Sequence, residues 1–155
     1  MIQQFLPALE AEIKQQSLGD SPQELYDPIR YLMQLGGKRI RPVLCLLSYS
    51  LFKADWEKVV STALSIEIFH NFTLMHDDIM DKAPLRRGKQ TVHEKWNINT
   101  GILSGDAMLI LAYQFFEVYE PNIFQKLAKL FTHRLKVKCC CVTCWQIGNA
   151  SYITK

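Results

Sequence analysis

Three carboxylates stand close together in Asp77-Asp78-Ile79-Met80-Asp81. On a helix, Asp77 and Asp81 share one face, with Asp78 beside them. Three negative charges at a helix C-terminus repel one another and meet the negative end of the macrodipole. A hard divalent cation resolves both conflicts. Mg²⁺ takes oxygen ligands, keeps several waters and bridges one or two carboxylates to phosphate oxygens. The bland alternative is a solvated acidic helix end, and the acids alone do not decide between the two.

Cations flank this cluster on both sides. Arg86-Arg87-Gly88-Lys89 follows Asp81 in what reads as a basic loop. Such cations can merely neutralise the acids, but paired guanidinium forks also hold phosphate oxygens. Upstream, Gly36-Gly37-Lys38-Arg39-Ile40-Arg41-Pro42 places three cations after a glycine turn and just before a helix. Glycines let backbone amides approach an anion, and a helix N-terminus favours negative charge. Taken alone, that segment is an ordinary basic linker. His70 lies two helical turns before Asp77 on the same face; a lone histidine there is more often packed than functional. Together the features describe two anion cradles, one of them built on carboxylates and a metal.

The elements that must carry these groups read as helices. Ile2, Phe5, Leu6, Leu9 and Ile13 recur at helical spacing. Ser21-Pro22-Gln23-Glu24 is a helix start with Ser as cap and Pro in the first turn, and Gly36-Gly37 is the stop. An apolar helix is expected from about Pro42 to Phe52. A long one, capped by Asp55, is expected through Val59, Ala63, Ile66, Phe69 and Thr73 to Asp77. Thr91 caps a short turn to Trp96, a helix runs from about Asn99 to Tyr119, and a last amphipathic one covers about Asn122 to Phe131. No segment before the tail alternates with a strand period. The fold class is all-α.

The chain has 155 residues, 48% hydrophobic and 21% charged, which excludes a disordered, collagenous or disulfide-dense protein. Its longest apolar stretch, 101–119, contains Asp106 and Gln114 and is too polar to span a bilayer. A net charge of +3 is too small to imply a nucleic-acid partner. The N-terminus carries no basic segment followed by an apolar core, so the expected compartment is the cytoplasm, with reduced thiols. The charge is uneven. Residues 1–132 carry all 15 acids against 14 Lys and Arg, whereas residues 133–155 carry four basic residues, no acid, and Cys139, Cys140, Cys141 and Cys144. The chain thus divides into a helical region, 1–132, and an atypical basic, Cys-rich tail, 133–155.

The motifs, in order, resemble those of the trans-isoprenyl diphosphate synthases, the polyprenyl synthetase family that includes farnesyl and geranylgeranyl diphosphate synthases. The resemblance rests on the Gly-Gly-Lys38-Arg39-Ile-Arg41-Pro segment and on Glu67 through His70, His76 and Asp77-Asp78 to Asp81. It continues through Leu85-Arg86-Arg87-Gly88-Lys89-Gln90-Thr91-Val92-His93 and Ser104-Gly105-Asp106. It covers about Phe5 to Thr132 and implies the N-terminal half of an isoprenoid-synthase helical bundle. It also implies a Mg²⁺-dependent prenyltransferase, with Mn²⁺ as an alternative, that condenses isopentenyl diphosphate with an allylic diphosphate. By motif match, Asp77, Asp78 and Asp81 would bind the metal and Arg86 would assist the allylic diphosphate. Lys38, Arg41, His70 and Arg87 would bind isopentenyl diphosphate, and Arg39, beside that site, is a weaker match. Phe72 and Thr73 would floor the product pocket, giving a short- to medium-chain product of about fifteen to twenty carbons; the plainer role for Phe72 is core packing. Family members are usually homodimers.

The resemblance also exposes an absence. Family members run to roughly twice this length, and a second aspartate-rich motif faces the first. After Asp106 the only acids here are Glu117 and Glu120. The chain is therefore expected to be a truncated synthase, and an inactive fragment retaining metal-diphosphate or subunit binding is the alternative. A terpene cyclase is a weaker one, because it needs no second diphosphate site and so no Gly-Gly-Lys-Arg segment. For the tail, a foreign or frameshifted origin is favoured by the abrupt change of composition. A divergent genuine segment is the second reading. A zinc knuckle on Cys141 and Cys144 is the third, and it lacks a well-spaced second ligand pair.

Overall fold

The computed structural model describes residues 2–16, 18–116 and 119–150, and side chains over 4–16, 18–116 and 119–136. Among the described residues, seven α-helices follow in order: α1 (Ile2–Gln15), α2 (Gln23–Gln34), α3 (Ile40–Ser50), α4 (Val60–Met80), α5 (Val92–Lys95), α6 (Ile98–Gln114) and α7 (Pro121–Ala150). Between α4 and α5 lies one small hairpin, β1 (Leu85–Arg86) and β2 (Lys89–Gln90), paired antiparallel. The all-α expectation holds. The hairpin was not anticipated, because strands of two residues are too short to show a period.

The chain forms two compact units, Met1–Phe116 and Glu117–Lys155. In the first, α4 is the central helix. It packs most extensively on α6 and also on α1, α2, α3 and α5. Its buried residues fall on more than one face and include Leu64, Ile68, Phe69, Phe72 and Met75, as a helix surrounded by others requires. Phe5 and Leu9 of α1 bury against Leu46, Val60 and Ala63. Phe5 meets the Trp56 ring edge-on at 5.0 Å. Each such fully buried Leu, Ile or Phe removes about 1.5–3 kcal/mol of apolar exposure.

Several boundaries differ from expectation for physical reasons. α2 starts one residue late, with Pro22 rather than Ser21 in the extended cap position. Asp55 precedes a 3₁₀ turn, Trp56–Val59, instead of capping α4 directly, and its carboxylate pairs with Lys58 at 2.8 Å. Thr91 precedes α5, but its hydroxyl donates back to Ala83 O (2.7 Å). In the second unit, α7 does not stop near Phe131. It runs unbroken through Thr132–His133 to Ala150, a stretch with no glycine or proline between Asn122 and Ile147 to break it. The side chains of Cys139, Cys140, Cys141 and Cys144, and with them the zinc reading, lie outside the described side chains. No described helix is long and apolar enough to cross a membrane.

Candidate diphosphate site on the central helix

The acidic motif occupies the last turn of α4. Asp77 and Asp78 lie in the helix and Asp81 is its C-cap. The chain leaves through a Schellman closure: Lys82 N donates to Ile79 O (3.2 Å) and Ala83 N to Asp78 O (2.9 Å). Lys82 sits at φ 50, the left-handed position glycine usually fills. This closure reverses the chain so that the hairpin returns over the helix end. The hairpin is closed by Arg87-Gly88 at φ 53 and 75, the two positive values that a two-residue type I′ turn demands. Tyr31 Oη donates to Gln90 O at 2.8 Å and ties the hairpin to α2.

The returning strand sorts the three acids. Arg86 forks onto Asp78: Nε to Oδ2 and Nη2 to Oδ1, each 2.7 Å. Asp78 is buried, so both oxygens of that carboxylate are committed to the guanidinium. The hydrogen bonds to Asp78, reinforced by the fields of Asp77 and Asp81, hold the Arg86 pKa above its usual value. Asp77 is half-buried and Asp81 exposed. Among the described residues, no group of three or more His, Cys, Asp or Glu converges on one metal position. Asp77 and Asp81, one helical turn apart, still fit an ion that keeps most of its waters and takes only one or two carboxylates. Asp78 fits better as the anchor of Arg86, whose Nη1 stays outside the fork.

The basic segment after α2 is sorted in the same way. Gly36 takes φ 72 just past the end of α2. Lys38 and Arg41 are exposed, whereas Arg39 between them is buried and pairs with Glu67 at 2.6 Å. Arg41 Nη1 donates to His70 Nε2 (3.0 Å), which leaves the imidazole proton on Nδ1. The Arg87 guanidinium lies over Gly37. A Cβ there would stand 2.9 Å from its Cζ, Nη1 and Nη2. Desolvation there, and then the field of Arg39, lower the Arg87 pKa against the opposing pull of Glu67. Arg41 and His70 are thus joined, and Arg87 lies over Gly37, the residue before exposed Lys38.

Phe72 and Thr73 are both buried. Thr73 is one turn from Asp77, and its hydroxyl donates to His70 O at 2.7 Å. Phe72 points elsewhere, about 140° around the helix from Asp77, against Phe69 (5.7 Å) and the His76 ring edge (4.9 Å). His76 had no assigned role from sequence. Its Nδ1 lies 3.2 Å from Phe72 O and its Nε2 3.5 Å from Asp106 Oδ1. The ring fills the space left by Gly105. Ser104 Oγ donates to Leu25 O (2.8 Å), so Ser104-Gly105-Asp106 locks α6 to α2 and α4. The His93 ring nitrogens are buried near Gly101 and make no hydrogen bond among the described residues, though Nε2 lies 3.6 Å from Glu94 Oε1.

A helical bundle whose central helix ends in carboxylates beside a basic hairpin is the all-α isoprenoid-synthase architecture. A crystal structure of a geranylgeranyl pyrophosphate synthase superposes with a TM-score of 0.80 at 48% identity, over 86% of this chain and 41% of that one. The polyprenyl synthetase family model matches residues 22–152, and the chain belongs to that family. It is 42% identical to the geranylgeranyl pyrophosphate synthase of Geoglobus acetivorans over 70% of this chain and 35% of that protein. It is 41% identical to the short chain isoprenyl diphosphate synthase of Methanocaldococcus jannaschii over 71% and 33%. The chain therefore spans about a third of the length of these curated relatives.

Proposed function

We propose that this chain is an N-terminal part of a trans-type prenyltransferase that joins isopentenyl diphosphate to an allylic diphosphate. The observation that carries this reading is the segregation of two charge groups: carboxylates at the end of α4, and exposed cations beside the turn Gly36-Gly37, with Arg87 lying over Gly37. Two polyanions must meet in such a reaction, and segregation lets them bind side by side without sharing a counter-charge.

Asp77 and Asp81 would hold Mg²⁺, or Mn²⁺ in its place, and the bound ion would supply Lewis-acid neutralisation of a diphosphate leaving group. Arg86, oriented by Asp78, presents Nη1 to the same diphosphate. Lys38, Arg41 and Arg87 bind the diphosphate of the isopentenyl partner, with His70 fixing the direction of Arg41. Loss of diphosphate from the allylic partner leaves a carbocation; the isopentenyl double bond attacks it, and a proton is then lost. Thr73, below Asp77 on the same face, borders the path of the growing chain, and Phe72 supports that wall from behind. A short- to medium-chain product and assembly as a homodimer in the cytoplasm belong to the same reading.

Incorporation of labelled isopentenyl diphosphate into an allylic acceptor, with Mg²⁺, tests the proposal. Turnover that is lost in Asp81→Asn and in Lys38→Ala supports it. A second reading, binding without turnover, is favoured by one observation: after Asp106 the sequence holds only Glu117 and Glu120, so these residues supply no second carboxylate cluster. Under that reading the chain binds diphosphate and incorporates no label.

A further inference from the structure

We propose that the buried pair Arg39–Glu67 is the positioning device of the cation cradle, holding Lys38, Arg41, His70 and Arg87 in one register. The role rests on reading those four side chains as the acceptor diphosphate site. Arg39 breaks an otherwise exposed segment: Lys38, Ile40 and Arg41 face solvent, while the Arg39 side chain is 1% exposed. Its backbone is left-handed, φ 45 and ψ 34, at the cap of α3. That conformation is rare for a side chain with a Cβ, and here it turns the guanidinium inward.

Inside, the guanidinium ties the loop that carries Lys38 to α1, α2 and α4, the last of which carries His70. Nη1 donates to Glu67 Oε1 of α4 (2.6 Å), Nη2 to Met33 O in the last turn of α2 (2.7 Å) and Nε to Glu10 Oε1 of α1 (3.2 Å). The Met33 carbonyl is one of those a helix end leaves without an intrahelical partner. Glu67 is held in turn by Asn71 Nδ2 at 3.1 Å. The Arg39 carbonyl accepts from Val43 N and starts α3, so Arg41 leaves at an angle set by Arg39. His70, which Arg41 reaches, stands on the same helix turn as Glu67. Arg87 feels both members: Arg39 repels its charge and Glu67 attracts it. With Glu67 neutral, Arg39 would act on Arg87 uncompensated. A buried ion pair is a poor source of stability compared with apolar packing, and its best-attested use is to fix register.

Calorimetric titration of the chain with inorganic diphosphate in the presence of a chelator reads binding at side-chain cations without the metal, and the part lost in Lys38→Ala is the share of the cation cradle. The expected result is that Lys38→Ala weakens binding and that Glu67→Gln weakens it by about 10- to 100-fold, as misplacement by an ångström does. Glu67→Gln should lose most of its effect in the Lys38→Ala background, since it acts through the same contact. A general loss of packing would not produce that coupling. Arg39→Lys, which keeps the charge and loses the fork, serves if Glu67→Gln does not fold, and should weaken binding in the same way. Binding unchanged in the folded variant, or an equal loss in both backgrounds, overturns the positioning role. No metal-independent binding by the parent chain, or none of it lost in Lys38→Ala, overturns the acceptor-site reading and the positioning role with it.

Discussion

Gly105→Ala tests the contact that sets how closely α6 approaches the acidic helix. A Cβ at position 105 would overlap Cε1 of His76 and stand 2.7 Å from Nδ1 and 3.2 Å from Nε2. The ring has little room to yield. Its inner edge meets Phe72 at 4.9 Å, and Nδ1 lies 3.2 Å from the Phe72 carbonyl. With the side chain 27% exposed, its one way out is toward solvent, which forfeits the aromatic contact, about 0.5–1.5 kcal/mol. Overpacking of this kind costs about 1–3 kcal/mol. Against it stands the helix preference for alanine over glycine, about 0.5–1 kcal/mol. The overpacking wins, and the net loss should be about 0.5–2 kcal/mol.

For a chain of this size that loss lowers the melting temperature by about 1–8 °C. The assay is unfolding followed by circular dichroism, in heat and in urea, under one buffer. The decisive measurement is the double-mutant cycle with His76→Ala. Once the ring is gone, the three atoms nearest the added methyl are gone with it, and Gly105→Ala should then stabilise by up to about 1 kcal/mol. The sign must invert between backgrounds. Stabilisation by Gly105→Ala in the parent chain, or the same destabilisation in both backgrounds, refutes the steric account.

Four further outcomes follow from the same geometry. Asp78→Asn should destabilise by about 2–4 kcal/mol, somewhat under the full penalty of a broken buried pair because Arg86 keeps some solvent. Asp81→Asn should fall within about 0.5 kcal/mol of the parent, so equal urea midpoints for the two would refute the sorting of the acids. Gly37→Ala should push Arg87 off its seat, 2.9 Å away, and weaken metal-independent diphosphate binding as much as Arg87→Ala does; parent-like affinity counts against that placement. Burial raises the Cys45 thiol pKa, so the folded state prefers the neutral thiol. The stability tied to that neutral thiol is complete below the ordinary thiol value and is lost as pH rises from there through the raised folded value. Iodoacetamide should label the half-buried Cys45 more slowly in the folded chain than in denaturant, as peptide mass mapping would report. In an assembled enzyme, Phe72→Ala should lengthen the product at a cost of about 3–5 kcal/mol in stability; an unchanged chromatographic profile removes it from chain-length control.

What sequence could reveal here was residue type and spacing, and what it concealed was direction. The helices and the clustering of acid and base follow from periodicity and from glycine, proline and charge, which act locally. The sorting within each cluster does not. Lys38, Arg39 and Arg41 are three cations in four positions, and nothing local marks the middle one for burial. Glu67 and Glu10, on two other helices, decide it. Asp77, Asp78 and Asp81 are equally alike in sequence, and Asp78 is singled out because a left-handed Lys82 and a type I′ turn bring Arg86 back onto it. His76 and Gly105 illustrate the same limit, being a side chain and the gap it fills, 29 positions apart. The tail shows the converse: its change of composition is abrupt, yet α7 crosses it, because lysine favours a helix, cysteine and valine are only mildly unfavourable in one, and none is a breaker. Composition marks a boundary of character, and only backbone chemistry marks a boundary of structure. Hence the buried member of each charge cluster, not the most acidic or most basic stretch, indicates which side chains are left to meet a ligand.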